Sequence, residues 1–257
     1  MIGAIIGDVV GSRFEFNNHL STNFQLFAKD CSFTDDTVCT VAVADALLKG
    51  ISFGQSLRHW CLKYPTPKGG YGGSFAAWLH STNPMPYNSF GNGSAMRASP
   101  CAWFYNDRER ILDKARQSAE CTHDHPEGIR GAMCVADCIY HSRFGSQKHE
   151  IKELAIREYG YNLDMTCDSI RKTNTFNETC QVTVPQAIVA FLESTDFESA
   201  IRLAVSIGGD SDTIAAITGS IAEAFYGVPE HFKSAVLDYL PDEFIKVLSN
   251  FDNNKGK

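Results

Sequence analysis

The chain has 257 residues and a formal net charge of −7 at pH 7, with 44% hydrophobic and 21% charged residues. These values exclude a disordered or fibrous protein, and the acidic balance argues against non-specific binding to the polyanionic backbone of nucleic acid. No apolar run has the length of a membrane span, and the N-terminus lacks the basic leader of a signal peptide, so we expect a cytoplasmic protein without membrane contact.

The nine cysteines are scattered without a C-x-x-C pair, and several lie in apolar stretches. They are typical of buried reduced thiols in a cytosolic protein, and their spacing does not support a zinc site. No low-complexity stretch or charged linker divides the chain, which predicts one domain over residues 1–257.

The N-terminal segment carries glycines four residues apart, at Gly3, Gly7 and Gly11, and this spacing makes a smooth helix face for close contact. Glu15 follows where that helix should break. Taken alone, Glu15 is typical of a surface carboxylate, and Asp8 of a group that orients its neighbours or is solvated.

An acidic cluster follows at Thr34-Asp35-Asp36-Thr37 and opens an apolar helical pattern that ends at Gly50 as a C-cap. Asp and Thr are favoured N-caps, so the cluster by itself is typical of a capped, solvated first turn. Carboxylates and hydroxyls are also the oxygen ligands that Mg²⁺, Mn²⁺ and Ca²⁺ prefer, and a helix N-terminus stabilises their negative charge. Both interpretations remain open at this point.

Helical periodicity dominates the rest of the chain, with short links that contain Gly, Pro or Asn. The further predicted helices are 53–63, 74–80, 94–104, 108–121, 126–142, 148–159, 184–193, 197–206, 212–226 and 241–250. The β-branched run 181–185 is too short to seed a sheet. The sequence therefore predicts an all-α domain.

Three loops between these helices carry polar residues. The glycine-flanked turn 90–94 precedes a helix and can aim backbone N–H groups at an anion, although an ordinary Asn-Gly turn has the same pattern. The segment 121–128 holds His123 and His125 beside Asp124, which suggests either a metal site or a capped loop, and His123 could hydrogen-bond a phosphate. The glycine-rich stretch 69–74 is typical of a flexible connection in which Tyr71 could line a cleft.

A second acidic cluster, Asp210-Ser211-Asp212-Thr213, opens another helix rich in small residues. Small side chains let helix backbones approach closely, which could bring the two acidic N-termini to one point. A tightly packed helix pair without a ligand would have the same composition, but acids at both ends favour a site for hard divalent cations.

Together these motifs resemble the ADP-ribosylglycohydrolases, a family that includes ADP-ribosylarginine hydrolase and the dinitrogenase reductase activating glycohydrolase. The resemblance runs from Met1 to about Pro229. It rests on five motifs in order: Gly7-Asp8 with Glu15, the segment 33–37, the segment 91–97, Thr122-His123, and the segment 208–213. It implies a compact single-domain orthogonal helix bundle with a binuclear centre of two Mg²⁺ (or Mn²⁺) in a cleft.

The resemblance also implies roles for individual residues. The metal ligands would be Thr34, Asp35, Asp36, Asp210, Asp212 and Thr213, and the catalytic residues Glu15 and Asp35. Glu15 would be a mobile carboxylate near the metals. The diphosphate and adjoining ribose of ADP-ribose would contact Phe90, Gly91, Asn92, Gly93, Ser94, Ala95, Met96, Arg97 and His123. Tyr71 and the segment 182–185 are possible walls of the cleft.

The implied reaction is metal-dependent hydrolysis of the C1″ glycosidic bond of an ADP-ribosylated acceptor, with arginine on a protein preferred. Bond breaking develops oxocarbenium character at C1″, so the hypothesis gives the metals the 2″ and 3″ hydroxyls and a water, and Glu15 the proton transfer. One alternative keeps this chemistry for O-linked ADP-ribose on serine, O-acetyl-ADP-ribose, a small molecule or a nucleic-acid base. Another is a non-catalytic ADP-ribose-binding protein.

Overall fold

The structure is a computed structural model that describes residues 1–256, and the regular elements in that range are all α-helices. In chain order they are α1 Ile2–Gly11, α2 Asp35–Lys49, α3 Phe53–Lys63, α4 Gly73–His80, α5 Gly93–Met96, α6 Ser99–Phe104, α7 Arg108–Glu120, α8 Pro126–Arg143, α9 Lys148–Arg157, α10 Cys167–Thr173, α11 Cys180–Glu193, α12 Phe197–Ser206, α13 Ser211–Tyr226, α14 Glu230–Leu237 and α15 Asp242–Asp252. The all-α prediction is confirmed. The predicted domain 1–257 ends one residue beyond the described residues.

The predicted helices 53–63 and 197–206 have the observed bounds, whereas the predicted helix 94–104 is wrong as a single element. It is divided into α5 and α6 because the chain leaves helical geometry at Arg97 and restarts with Pro100 in the first turn of α6, where its fixed φ suits a helix start. The short helices α10 and α14 were not predicted. α10 begins with a capping box between Thr166 and Ser169, which lacks the usual Glu or Gln.

The β-branched run 181–185 lies inside α11, where Thr183, Val184 and Pro185 are buried. A proline removes one helical hydrogen bond, and β-branched residues are weak helix formers. Burial of this segment therefore outweighs its local propensity, and helix α11 packs against α13 and α8.

Helix α1 packs against α13 with almost no space between the backbones. A Cβ atom added to Gly7 would lie 2.0 Å from the carbonyl oxygen of Ala215, and one added to Gly3 would lie 2.3 Å from that of Gly219. One added to Gly11 would lie 2.6 Å from the Cα of Asp212. The glycine spacing in α1 is therefore a requirement of this contact, as the smooth helix face predicts.

The acidic N-termini of α2 and α13 lie next to each other. The two helices that pack most closely are nevertheless α1 and α13, not the predicted pair α2 and α13. The hydroxyl of Thr213 donates to Asp36 Oδ1 at 3.2 Å, which joins the two helix N-termini. Helix α1 packs on both α2 and α13, and its Asp8 bonds the start of α2. Contacts with α1 therefore hold the two N-termini close to each other. No helix within residues 1–256 is both apolar enough and long enough to span a membrane.

Candidate active site

A cleft of about 330 Å³ opens where the starts of α2, α5 and α13 converge. One half is acidic and is lined by Glu15, Asp35, Asp36, Asp210 and Asp212. The other half is lined by the glycine loop before α5 and by His123, and the segment 69–75 forms a further wall. The remaining lining residues are Phe16, Cys39, Tyr87, Ser89, Met96, Arg97, Glu178 and Thr213.

Asp8 is fully buried beneath the acidic half and holds the start of α2. Its carboxylate accepts hydrogen bonds from the backbone N–H of Thr34 and Thr37, at 3.0 and 3.1 Å, and from both of their hydroxyls. The Thr34 hydroxyl, 2.7 Å from Asp8 Oδ1, also accepts the N–H of Asp36 at 3.1 Å. Asp8 is therefore an orienting group, and the hydroxyl of Thr34 keeps one lone pair for another ligand.

Several carboxylate oxygens in the acidic half have no hydrogen-bond donor. Glu15 Oε2, Asp36 Oδ2 and Asp212 Oδ1 are buried and unpaired within residues 1–256. One oxygen each from Glu15, Asp210 and Asp212 lie within 4.8 Å of one another. Buried polar atoms are nearly always paired, so such a group of oxygens fits hard divalent cations.

Glu15 lies in the turn after α1 and is half-buried, facing the glycine-rich segment. A Cβ atom added to Gly69 would lie 2.6 Å from Glu15 Oε2 and would displace that carboxylate, and the φ of Gly69, +78°, itself favours glycine. Burial raises the pKa of Glu15 to about 8, with a further contribution from the negative charges of Asp212 and Asp8. A carboxyl with this pKa can release or accept a proton near neutral pH.

The other acids of the cleft share this direction of shift. Burial, followed by repulsion from neighbouring carboxylates, raises the pKa of Asp36 and Asp212 well above the ordinary value. Burial raises the pKa of Asp210 and of Asp8 to about 6. Cations in the cleft would offset this repulsion, because an opposite charge favours the ionised form.

The glycine loop is fastened to the acidic half through Asn92. Its amide nitrogen donates to Asp210 Oδ2 at 2.6 Å and to the hydroxyl of Thr183 at 3.0 Å. The backbone N–H of Gly91 donates to Ser89 Oγ at 3.1 Å, and that of Asn92 donates to the carbonyl of Glu178 at 2.7 Å. These two N–H groups are therefore already bonded within the protein.

The predicted substrate-binding loop is only partly exposed to the cleft. Gly91, Asn92, Gly93 and Met96 line it, as does part of Arg97. Phe90, Ser94 and Ala95 are not among the lining residues. Phe90 is exposed and contacts His125, Ser94 Oγ donates to the carbonyl of Gly128 at 2.7 Å, and Ala95 is fully buried. These three residues shape or support the loop.

His123 lines the cleft, whereas His125 does not. His125 is the N-cap of α8 and accepts the N–H of Glu127 at 3.1 Å, which confirms the interpretation of that histidine as part of a capped loop. Neither histidine belongs to a group of possible metal ligands within residues 1–256. Tyr71 lines the cleft, and its hydroxyl donates to the carbonyl of Tyr64 at 2.8 Å.

The family model described as ADP-ribosylglycohydrolase matches residues 1–253. The chain belongs to this family. ADP-ribosylhydrolase ARH3 from Homo sapiens is 26% identical, covering 93% of this chain and 88% of its own length. ADP-ribosylarginine hydrolase Tri1 from Pseudomonas putida (strain GB-1) is 25% identical over an alignment that covers 89% of this chain and 70% of Tri1. The resemblance seen in the sequence is confirmed, and the family supports hydrolase chemistry on ADP-ribosyl groups.

A solved structure described as an ADP-ribosylglycohydrolase-related protein complex shares the fold. It superposes with a TM-score of 0.74 at 22% sequence identity and covers 98% of this chain and 95% of the other. The helix bundle of this chain is therefore the ADP-ribosylglycohydrolase fold.

Sequence reasoning missed Asn18, which joins two loops of this ADP-ribosylglycohydrolase. Its side chain donates to the carbonyl of Gly209 at 2.8 Å and accepts the N–H of Gly209 at 2.9 Å. Gly209 has φ +77°, in the left-handed region that favours glycine, so its conformation and Asn18 together set the path into Asp210. The residues are 191 positions apart, and no local pattern links them.

A larger pocket of about 760 Å³ lies between the end of α2, the start of α3 and α7. Its lining includes Arg58, Trp78 and Lys114 but no carboxylate. The smaller acidic cleft is the candidate site of this ADP-ribosylglycohydrolase, because it gathers the unpaired acidic oxygens and the shifted pKa values.

Proposed function

We propose that the chain is a divalent-metal-dependent hydrolase that cleaves the C1″ glycosidic bond of an ADP-ribosylated acceptor, with ADP-ribosylarginine on a protein preferred, and releases ADP-ribose. The observation that carries this proposal is the meeting of two acidic helix starts, with buried oxygens that lack donors, beside a glycine loop in one cleft. ARH3 and Tri1 support the reaction class, and the name of Tri1 supports arginine as the acceptor.

The donor set suits two Mg²⁺ or Mn²⁺ ions, because it consists of carboxylate and hydroxyl oxygens without Cys or His. The proposed ligands are Thr34, Asp35, Asp36, Asp210, Asp212 and Thr213. The unpaired oxygens of Asp36 and Asp212 support the fit. The chemistry that such ions supply when bound is Lewis-acid activation of water and orientation of sugar hydroxyls.

Glu15 is the proposed proton carrier. It lies within 4.8 Å of Asp210 and Asp212 through one carboxylate oxygen, and its pKa is raised to about 8. Loss of the leaving group requires a proton at its nitrogen or oxygen, and attack by water requires removal of one. Asp35, half-buried at the edge of the same cleft, is proposed to orient the water with Glu15.

The rest of the cleft is proposed to bind the ADP-ribose half of the substrate. His123 and the cleft-lining part of the loop 91–97 would contact the diphosphate. Since Gly91 and Asn92 already donate their N–H groups to Ser89 and Glu178, the candidate donors are Gly93, His123 and the Nε of Arg97, which is unpaired within residues 1–256. Tyr71 would form part of the cleft wall.

The proposal is tested with a panel of ADP-ribosylated arginine, serine, acidic residues and nucleic acid, assayed with Mg²⁺, Mn²⁺ or a chelator. We expect metal-dependent release of ADP-ribose, fastest from arginine. Release from another acceptor would support the proposed hydrolysis but assign an acceptor other than arginine. Calorimetric binding of ADP-ribose without release from any acceptor would instead indicate a binding protein, and undiminished release in chelator would contradict the metal centre.

A further inference from the structure

Arg97 belongs to the loop beside the cleft, yet its guanidinium is bonded inside the protein. The side chain is 1% exposed, and Nη2 donates to the carbonyl of Ser118 at 2.9 Å and to Thr122 Oγ1 at 2.7 Å. Its Nε has no partner within residues 1–256. Nη2 is therefore held inside the protein by Ser118 and Thr122.

Thr122 connects Arg97 to His123. A hydroxyl has one hydrogen and two lone pairs, and arginine can only donate, so Thr122 Oγ1 accepts from Arg97. The hydroxyl hydrogen has two possible acceptors: Nδ1 of His123 at 2.7 Å and the carbonyl of Ala119 at 3.5 Å. The shorter distance is the usual one for a hydroxyl donor, whereas the longer one exceeds that range. Thr122 therefore donates to Nδ1.

The bond from Thr122 determines which ring nitrogen of His123 carries the proton. In a neutral imidazole, an Nδ1 that accepts a hydrogen bond leaves the hydrogen on Nε2. Nε2 faces the glycine loop: a Cβ atom added to Gly93 would lie 3.1 Å from it, and one added to Gly91 would lie 3.4 Å away. Burial and the charge of Arg97 lower the pKa of His123 well below its ordinary value, which keeps the ring neutral.

We propose that Arg97 and Thr122 are positioning residues that hold His123 as the Nε2–H tautomer, so that this N–H donates to the diphosphate of ADP-ribose beside Gly93. The inference rests on the proposed function, which supplies the ligand. The opposite tautomer would turn a lone pair toward the phosphate oxygens. The fixed tautomer therefore provides a donor where a weakly held ring would provide a mixture of donor and acceptor.

The tautomer is measured directly by ¹H–¹⁵N spectra of the histidine-labelled wild-type protein. We expect the His123 proton on Nε2 and a hydrogen-bonded, unprotonated Nδ1. A proton on Nδ1 overturns the inference. This measurement uses no variant, so it stands even where a substitution disturbs folding.

The paired variants Thr122→Val and Thr122→Ser test the consequence for binding. Loss of a hydrogen bond to a charged ligand should weaken ADP-ribose binding by about 10- to 100-fold in Thr122→Val and raise KM similarly, with kcat and Mn²⁺ affinity retained. Thr122→Ser keeps the hydroxyl and should bind as wild type does. Equal ADP-ribose affinity in folded Thr122→Val overturns the inference while leaving the proposed function intact. A wild-type protein that does not bind ADP-ribose at all would remove the proposed function itself.

Discussion

The two halves of the cleft differ in how their polar atoms are satisfied. In the acidic half, oxygens of Glu15, Asp36 and Asp212 are buried without donors. In the glycine-loop half, the side chain of Asn92 has two acceptors and Nδ1 of His123 has a partner at 2.7 Å. The first half has unpaired oxygens that the proposed cations would contact, whereas the polar side chains of the second half are already hydrogen-bonded within the protein.

Because their polar atoms differ in hydrogen bonding, the two halves should respond differently to mutation. Removing a carboxylate from the acidic half removes a proposed metal ligand but also relieves repulsion among like charges. Removing a group from the loop half breaks an existing network and leaves its partners unpaired. Measurements of metal affinity and protein stability should therefore distinguish the two halves. A substitution in the acidic half should lower metal affinity but raise the stability of the metal-free protein.

The largest effect is expected for Asp212→Asn. The variant should lose turnover by more than about 1,000-fold, because the stabilisation attributed to bound metal amounts to several kcal/mol. Its metal-free form should melt at the same temperature as wild type or higher, since a buried negative charge is removed. The matched control is Asp238→Asn, the same change at an exposed acid. An Asp212→Asn variant with wild-type turnover would contradict the proposed role of the acidic half.

The next effect is expected for Glu15→Gln. It should lower kcat by about 100- to 10,000-fold, the usual range for loss of a general acid or base. The affinity for Mn²⁺, measured by calorimetry, should change much less than in Asp212→Asn, because all six residues of the proposed ligand set remain. Glu178→Gln serves as control, since Glu178 also lines the cleft but is exposed. Similar losses of kcat in both variants would contradict the assignment of Glu15.

The sequence predicted the acidic half better than the loop half, for a physical reason. Acidic residues at helix starts follow local rules of capping and charge, so the sequence could place Asp35 and Asp212 at two helix N-termini from their neighbours in the chain. The bonds of Asn18 to Gly209 and of Arg97 to Thr122 depend on long-range packing. For Arg97 the loop motif predicts ligand contact, and the structure adds bonds from its Nη2 to Ser118 and Thr122 that no local pattern predicts. Helices α10 and α14 were missed because short elements carry little periodic signal.

A smaller effect on activity but a clear effect on stability is expected for Gly7→Ala. The added methyl would lie 2.0 Å from the carbonyl oxygen of Ala215, so α1 must shift away from α13 and carry Asp8 with it. Overpacking of this kind costs about 1–3 kcal/mol. Gly54→Ala is the control, because its nearest contact would be an ordinary 3.5 Å. Chemical denaturation should show destabilisation only at Gly7, and equal stability of the two variants would contradict the packing argument.

The smallest effect expected is a pH dependence of the metal-free protein. Carboxyls whose pKa is higher in the folded than in the unfolded chain bind more protons when folded, so stability falls as pH rises. The pKa values of about 6 for Asp8 and Asp210 and about 8 for Glu15, against ordinary values of 3.8 and 4.5, place this loss between about pH 4 and 8. The melting temperature should fall across that window, and excess Mn²⁺ should restore it at pH 8. A melting temperature that rises with pH in the metal-free protein would contradict this prediction.

On the proposed function, the acidic half is active only with divalent cations. The most direct measurement is the release of ADP-ribose from ADP-ribosylarginine by metal-free protein titrated with Mn²⁺. We expect no release above background without metal and a rise that saturates when two ions are bound per chain. Full release in the presence of chelator would contradict it.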